Sequence, residues 1–127
     1  MAELSGSARK TIEGPNIALL LMKDGSHVSP VWISHENGYL ALNTVVGHLK
    51  GRNMRRDLRV AISLADRDDH TDHADVRGRV VELVEGEEAD RQLDEQAKKY
   101  EGVGEHPWRR EGERRVKVLV EPLAVPT

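Results

Sequence analysis

The chain has 127 residues, no cysteine and a net charge of −3. That composition excludes disulfides, thiolate metal sites and cysteine nucleophiles, and it argues against nucleic acid as a partner. The longest apolar run is six residues, far below the ~20 of a membrane span, and residues 1–14 lack a signal-peptide core, so a cytoplasmic protein with no membrane partner is expected.

Leu4, Ala8 and Ile12 recur every four residues ahead of Gly14. A short amphipathic helix is expected there, capped by Ser5 or Ser7. Pro15 returns the chain to an extended course. Ile17 to Met22 is apolar throughout and reads as a strand buried on both faces. Lys23-Asp24-Gly25-Ser26 is a turn, and His27 to Ile33 reads as the returning strand of a hairpin. Pro30 cannot donate to a ladder, so it marks an edge or a bulge. Glu36-Asn37-Gly38 turns into a third strand, Tyr39 to Thr44.

Val46 to Arg56 has helical spacing, with Thr44 placed as a cap, and reads as a short basic helix. Leu58, Val60, Ile62 and Leu64 alternate with more polar residues, the period of a half-buried strand. Asp66 to Asp75 is a polar loop, and Val76 to Val84 a strand interrupted at Gly78. Glu88 to Tyr100 is a helix with Ala89, Leu93, Ala97 and Tyr100 on one face, and Asp94–Lys98 and Glu95–Lys99 as pairs four apart. Gly102 to Gly112 is a loop carrying Trp108. Val116, Val118 and Val120 alternate in a last strand that Pro122 is expected to stop. Six or seven strands joined by tight turns predict a mainly β fold: one small antiparallel barrel domain over 1–127, with helices outside.

The segment after Asn43-Thr44 is the strongest chemical signal. From His48 to Arg59 there are five Lys or Arg and one acid. A helix beginning there presents free N–H groups and a positive dipole end, a natural anion site. Lys50 and Asn53, three apart, point the same way, so a phosphate held by Thr44, Lys50 and main-chain amides is reasonable; a solvated basic helix is the plainer alternative. The acidic loop, with His70 and His73 among five carboxylates, lacks the spacing of a metal site and reads as solvated; no metal is expected. Arg77 and Arg79 share a strand face around Gly78, where either a ligand or cross-strand acids would meet them. Trp108 lies in a polar loop, placed to pack on a partner subunit or line a pocket. No dinucleotide fingerprint, phosphate loop or nucleophile elbow is present, so no catalytic residue is assigned and a cofactor is expected to supply any reactivity.

Val28-Ser29-Pro30-Val31-Trp32, Leu42-Asn43-Thr44, Lys50 through Ala61, Asp75 through Glu82, and Lys98-Lys99-Tyr100 through Pro107-Trp108-Arg109 together resemble the pyridoxamine 5'-phosphate oxidase-like split β-barrel proteins. The likeness runs from about Gly14 to Pro122 and is strongest to the actinobacterial branch that uses the deazaflavin coenzyme F-420. It implies a six-stranded, FMN-binding-like split barrel and a homodimer with cofactor sites at the subunit interface. It also implies an oxidoreductase moving a hydride between the reduced deazaflavin and an unsaturated small organic substrate. Flavin mononucleotide (FMN) is the alternative cofactor, and a binding protein without turnover the alternative function. By position, Thr44, Lys50 and Asn53 match contacts to the phosphate and tail. Ser29, Pro30, Val31 and Trp32 match the strand flanking the ring, and Trp108 comes from the other subunit. His48 stands where the family usually has Arg, exchanging a fixed charge for a titratable one. The first hairpin is about three residues short of its relatives. His27, Tyr100 or a water remain open as proton source.

Overall fold

The computed structural model describes residues 4, 6–22, 28–45, 55–56, 58–69, 71, 73–102 and 114–124. Helix α1 spans Gly6–Glu13 and α2 spans Glu87–Glu101. The strands are β1 (Ala18–Met22), β2 (Val28–Val31), β3 (Ser34–Glu36), β4 (Tyr39–Val45), β5 (Arg59–Ala65), β6 (His73–Glu85) and β7 (Arg115–Ala124). They form one antiparallel sheet in the order β2-β1-β5-β6-β7-β4-β3.

That order contains a strong constraint. β2 and β3 are the two edges of the sheet, yet only Trp32 and Ile33 separate them in sequence. Three residue steps reach roughly 10 Å at full extension. The sheet therefore curls until its edges meet, and a seam runs where the chain steps from one edge to the other. The interior is filled by alternate residues of each strand. Leu20 and Met22, Val60, Ile62 and Leu64, Val76 and Val80, and Val116, Val118 and Val120 are all buried. The period-two alternation of β5 and β7 thus decides which side faces in.

Four local expectations change. β1 is not buried on both faces: Leu19 is 45% exposed while Leu20 is 1% exposed. Among the described residues no helix covers the outer side of β1, so the apolar run shows one open face. The span 27–33 is not one strand; the chain leaves β2 at Val31 and re-enters the sheet as β3, which raises the strand count to seven. Pro30 does sit on an edge strand. Pro122 does not stop β7, which runs on to Ala124. β4 pairs no further than Val120, so Pro122 has a single neighbour, β6, at a register shift where a missing N–H is tolerated. Finally, Lys99 does not pair with Glu95; its ammonium turns inward. The proposed basic helix over 46–56 lies mostly outside the described residues; Arg55 and Arg56, which are described, are not helical.

Gly78 faces β7, not a ligand. It lies opposite Pro122 at the shift, and a Cβ there would fall 2.5 Å from Val120 Cγ1 and 3.0 Å from the Glu121 carbonyl oxygen. Arg79 takes the cross-strand acid, Glu121, at 2.6 Å, and the guanidinium holds that carboxyl below its ordinary range. The acidic loop is tied by its own side chains. Asp66 accepts from the amides of Asp68 and Asp69, and Asp69 from the amide and hydroxyl of Thr71.

The last turn of α2 holds the seam closed. Lys99 Nζ donates to the carbonyls of Ile12 at 2.7 Å and Ile33 at 2.6 Å. The Tyr100 hydroxyl donates to the Asn16 carbonyl at 2.7 Å and accepts from the Ile33 amide at 3.1 Å. Asn16, 2% exposed, donates from its side chain to the Thr11 carbonyl and accepts the Arg67 amide. One knot therefore joins α1, the entry to β1, the β2–β3 step, the loop after β5 and α2.

Two predictions follow from these contacts. Gly78→Ala forces a shift at the β6–β7 bulge and should cost about 1–3 kcal/mol in a urea titration. Burial pushes the Lys99 pKa down to about 8 from its ordinary 10.5. Between those two pH values the unfolded chain holds the proton and the folded protein does not, so stability rises with pH. The neutral amine still has two N–H donors for its two carbonyls. Across that window the parent should gain on Lys99→Met by about 2–3 kcal/mol, at roughly 1.4 kcal/mol per unit. Parallel denaturant titrations at pH 7.5, 9 and 10.5 check this; a constant difference refutes it.

Candidate functional site

The β3–β4 hairpin pairs Ser34 with Ala41 and Glu36 with Tyr39. Continuing that antiparallel register backwards sets Trp32 against Asn43 and Pro30 against Val45. Among the described residues no ladder forms there, and β2 pairs with β1 alone. The barrel is split along this line, and the free edge of β2 faces the end of β4.

A cleft of about 290 Å³ occupies the split. Pro30, Val31 and Trp32 form one wall, and Asn43 with Arg115 of β7 the other. Leu93 and Gln96 of α2 and Ile17 ahead of β1 complete it. Its size sits at the lower end of small-molecule sites. The β2 edge offers main-chain donors and acceptors, except at Pro30, which has no N–H.

Trp32 is held from behind. Its ring stacks on Tyr100 with centroids 5.2 Å apart and planes 3° from parallel. The Lys99 ammonium lies 4.9 Å from the Tyr100 ring centre. Burial pushes the Tyr100 phenol up to about 12, and its proton is committed to the Asn16 carbonyl. Tyr100 is thus a structural prop for Trp32 and a poor proton source.

Helix α2 lies along the outer side of β4 and β7. Asn43 Nδ2 donates to the Ala89 carbonyl at 2.8 Å and to Gln92 Oε1 at 2.7 Å. Gln96 Nε2 donates to the Ala41 carbonyl and Ser34 Oγ, both at 3.3 Å. A buried ion pair closes the far end: Lys117, 3% exposed, reaches Glu36 at 2.8 Å and Glu88 at 2.6 Å. Burial pulls that ammonium down, but the two carboxylates outweigh it and hold it above its ordinary value.

Of the residues expected at a site, the cleft brings Pro30, Val31 and Trp32 together. Ser29 is on β2 but does not line it, and Thr44 is buried on the alternate side of β4 from Asn43, its hydroxyl without a partner among the described residues. His48, Lys50, Asn53 and Trp108 lie outside the described residues, as does His27. Gln96 and Arg115 join the cleft without a sequence motif to announce them, and Asn43 joins it from the Leu42-Asn43-Thr44 segment of the resemblance, though not among the residues expected at the site. The one available signal is that Gln92 and Gln96 fall on the apolar face of α2 beside Ala89, Leu93 and Ala97. Glutamine on a buried stripe is uncommon and needs partners. Among the described residues no three His, Asp or Glu side chains gather as a metal site, and no helix is long and apolar enough to cross a membrane.

An antiparallel sheet curled into a split barrel, with a ligand-sized cleft along the split, defines the class of fold. Solved structures share it. An F-420 reductase superposes with a TM-score of 0.77 at 24% identity, covering 93% of this chain and 94% of that one. A conserved hypothetical protein of Mycobacterium tuberculosis superposes at 0.66 with 23% identity, over 98% and 86% of the two chains. A pyridoxamine 5'-phosphate oxidase-like protein of Listeria innocua superposes at 0.57 with 16% identity, over 87% and 86%. No family model matches the sequence, and no curated protein matches it. At these identities the likeness establishes the fold.

The Trp32 prop gives a testable contrast. Tyr100→Phe keeps the stack but strands the Ile33 amide and Asn16 carbonyl, so it should cost about 1–3 kcal/mol and leave Trp32 emission unchanged. Tyr100→Leu should cost more and shift that emission, read in a Trp108→Phe background. Equal spectra would show that the stack does not hold the indole.

Proposed function

We propose that the cleft binds the ring of a deazaflavin or flavin coenzyme and that the protein is an oxidoreductase dependent on coenzyme F-420. The observation that carries this reading is the split itself. A free strand edge and a propped tryptophan line a cleft that also holds the polar side chains of Asn43, Gln96 and Arg115. A flat heteroaromatic ring edged with N–H and carbonyl groups suits such a lining. The shared fold with an F-420 reductase supports the same reading.

When bound, the coenzyme supplies or accepts the hydride. The chain's part is to bind, orient and exclude water. Pro30, Val31 and Trp32 flank the ring, with Ser29 beside them on the same strand. His48, Lys50 and Asn53 take the phosphate and the acidic tail by position in the resemblance, which alone adds Thr44, buried on the other side of β4 from Asn43; Lys50, Arg52, Arg55 and Arg56 supply more positive charge than one phosphate needs. That surplus favours F-420 over FMN. The partner subunit's Trp108 closes the site in a homodimer. An open apolar face supports the dimer: Ile17, Leu19 and Val28 are 50%, 45% and 59% exposed on β1, its lead-in and β2. A groove of about 620 Å³ lined by Pro15, Ile17 and Leu19 adjoins them.

Titration with F-420 and with FMN, followed by fluorescence, tests the reading. Micromolar binding of F-420 alone is expected. Preference for FMN moves the protein to the flavin-dependent reading, and binding of neither refutes both. Lys50→Ala should weaken F-420 binding at least several-fold with little change in melting temperature. Unchanged affinity would remove Lys50 from the site.

A further inference from the structure

Arg59 of β5 and Arg79 of β6 are direct cross-strand partners. The Val80 amide donates to the Leu58 carbonyl at 2.9 Å, so the next pair, Arg59 and Arg79, falls at a position without ladder hydrogen bonds. There opposed Cα atoms approach to about 4.5 Å, the closest spacing an antiparallel ladder offers. Val60, Val76 and Val80 fill the interior, so both arginines and Arg77 project from the outer side of the sheet. Arg77 lies diagonally from Arg59, roughly 7–8 Å away, with the small residues Ala61 and Ala124 as its ladder partners.

Like charges set directly opposite each other destabilise a sheet. The acids on the same face do not account for the cluster. Glu121 is taken by Arg79 at 2.6 Å, and Asp75 accepts the Ser63 hydroxyl and faces His73. Arg59 and Arg77 are exposed, and among the described residues neither has an ion pair. Arg55 and Arg56, also exposed, stand just ahead of β5, where the Leu58 amide bonds the Arg55 carbonyl at 3.1 Å. The sequence pattern allowed Arg77 and Arg79 either a ligand or facing acids, and the acid serves Arg79.

We infer that this outer face of β5 and β6 is a site for a diphosphate group, gripped by Arg59 and Arg77 and backed by the Arg79–Glu121 pair. The chemistry favours phosphate over carboxylate. One guanidinium fork uses both oxygens of a carboxylate, whereas two linked phosphoryl groups carry enough oxygens for two forks at once. The anion also offsets the repulsion between Arg59 and Arg79, so its binding stabilises the fold. The cleft lies at the split between β2 and β4, so this site is separate from it and does not rest on the ring-binding function.

Calorimetric titration of the full chain with inorganic pyrophosphate, inorganic phosphate and ADP at low ionic strength tests the site. Pyrophosphate should bind at least about tenfold more tightly than phosphate, the value of one charge-assisted hydrogen bond. Arg59→Gln and Arg77→Gln should each weaken pyrophosphate binding by about tenfold or more. Arg91→Gln removes the same charge from an exposed position on α2 and should leave binding unchanged. ADP bound as tightly as pyrophosphate identifies a nucleotide as the source, and preference for pyrophosphate identifies the free anion; either supports the inference. Binding of neither overturns it. Equal weakening by all three variants assigns the effect to net charge and also overturns it, as does binding of an oligonucleotide duplex without pyrophosphate. In the absence of anion Arg59→Gln should melt at or above the parent's temperature, because a like-charge contact is removed. If it melts below, Arg77→Gln decides alone.

Discussion

Two residues, Trp32 and Ile33, connect opposite edges of a seven-stranded sheet, and most of the structure answers to that short tether. An open sheet of this strand order would need its edges tens of ångströms apart, at roughly 4.8 Å per strand. The tether forbids it, so the sheet curls and its alternate residues become a core. Because β2 and β3 are offset along the seam, hydrogen bonding continues on one side of Ile33 and fails on the other. The cleft is what remains where pairing fails.

Such a seam is held from outside. Interior contacts alone would leave the tether's own amide and carbonyl exposed to competition from water. Here the Ile33 amide bonds the Tyr100 hydroxyl, and its carbonyl takes the Lys99 ammonium. The same two side chains reach α1 and Asn16. A lysine used this way gives up part of its basicity, since two carbonyl dipoles replace a full solvation shell. The arrangement couples the wall of the cleft to the stability of the barrel: Trp32 is fixed by the groups that close it.

The outer side of β4 shows the complementary economy. Three side-chain amides join the strand to α2, each oriented by a main-chain carbonyl or by another amide. That arrangement leaves Asn43 Oδ1, Gln96 Oε1 and Gln92 Nε2 buried without partners among the described residues. Natural cores seldom tolerate that, and functional sites are where such departures from full satisfaction concentrate. Gln92 and Gln96 would be poor choices for a helix that only had to pack.

The sequence by itself determined the local grammar. The alternation in β5 and β7, the valine-rich strands, the helix over residues 87–101 and the edge character of Pro30 all follow from period, propensity and lost donors, which act within a few residues. The class of barrel was legible through the resemblance, which also singled out the strand Ser29 to Trp32, three of whose residues line the cleft. Only the tertiary structure decided what depends on residues far apart in the chain. That Gly78 makes room for Val120, that Lys99 turns from Glu95 to Ile33, that β7 passes through Pro122 and that Gln92 meets Asn43 all arise from register and curvature. Those are set by the whole sheet closing on a two-residue tether, and no window of sequence contains both partners of any of these contacts except the one Lys99 forgoes.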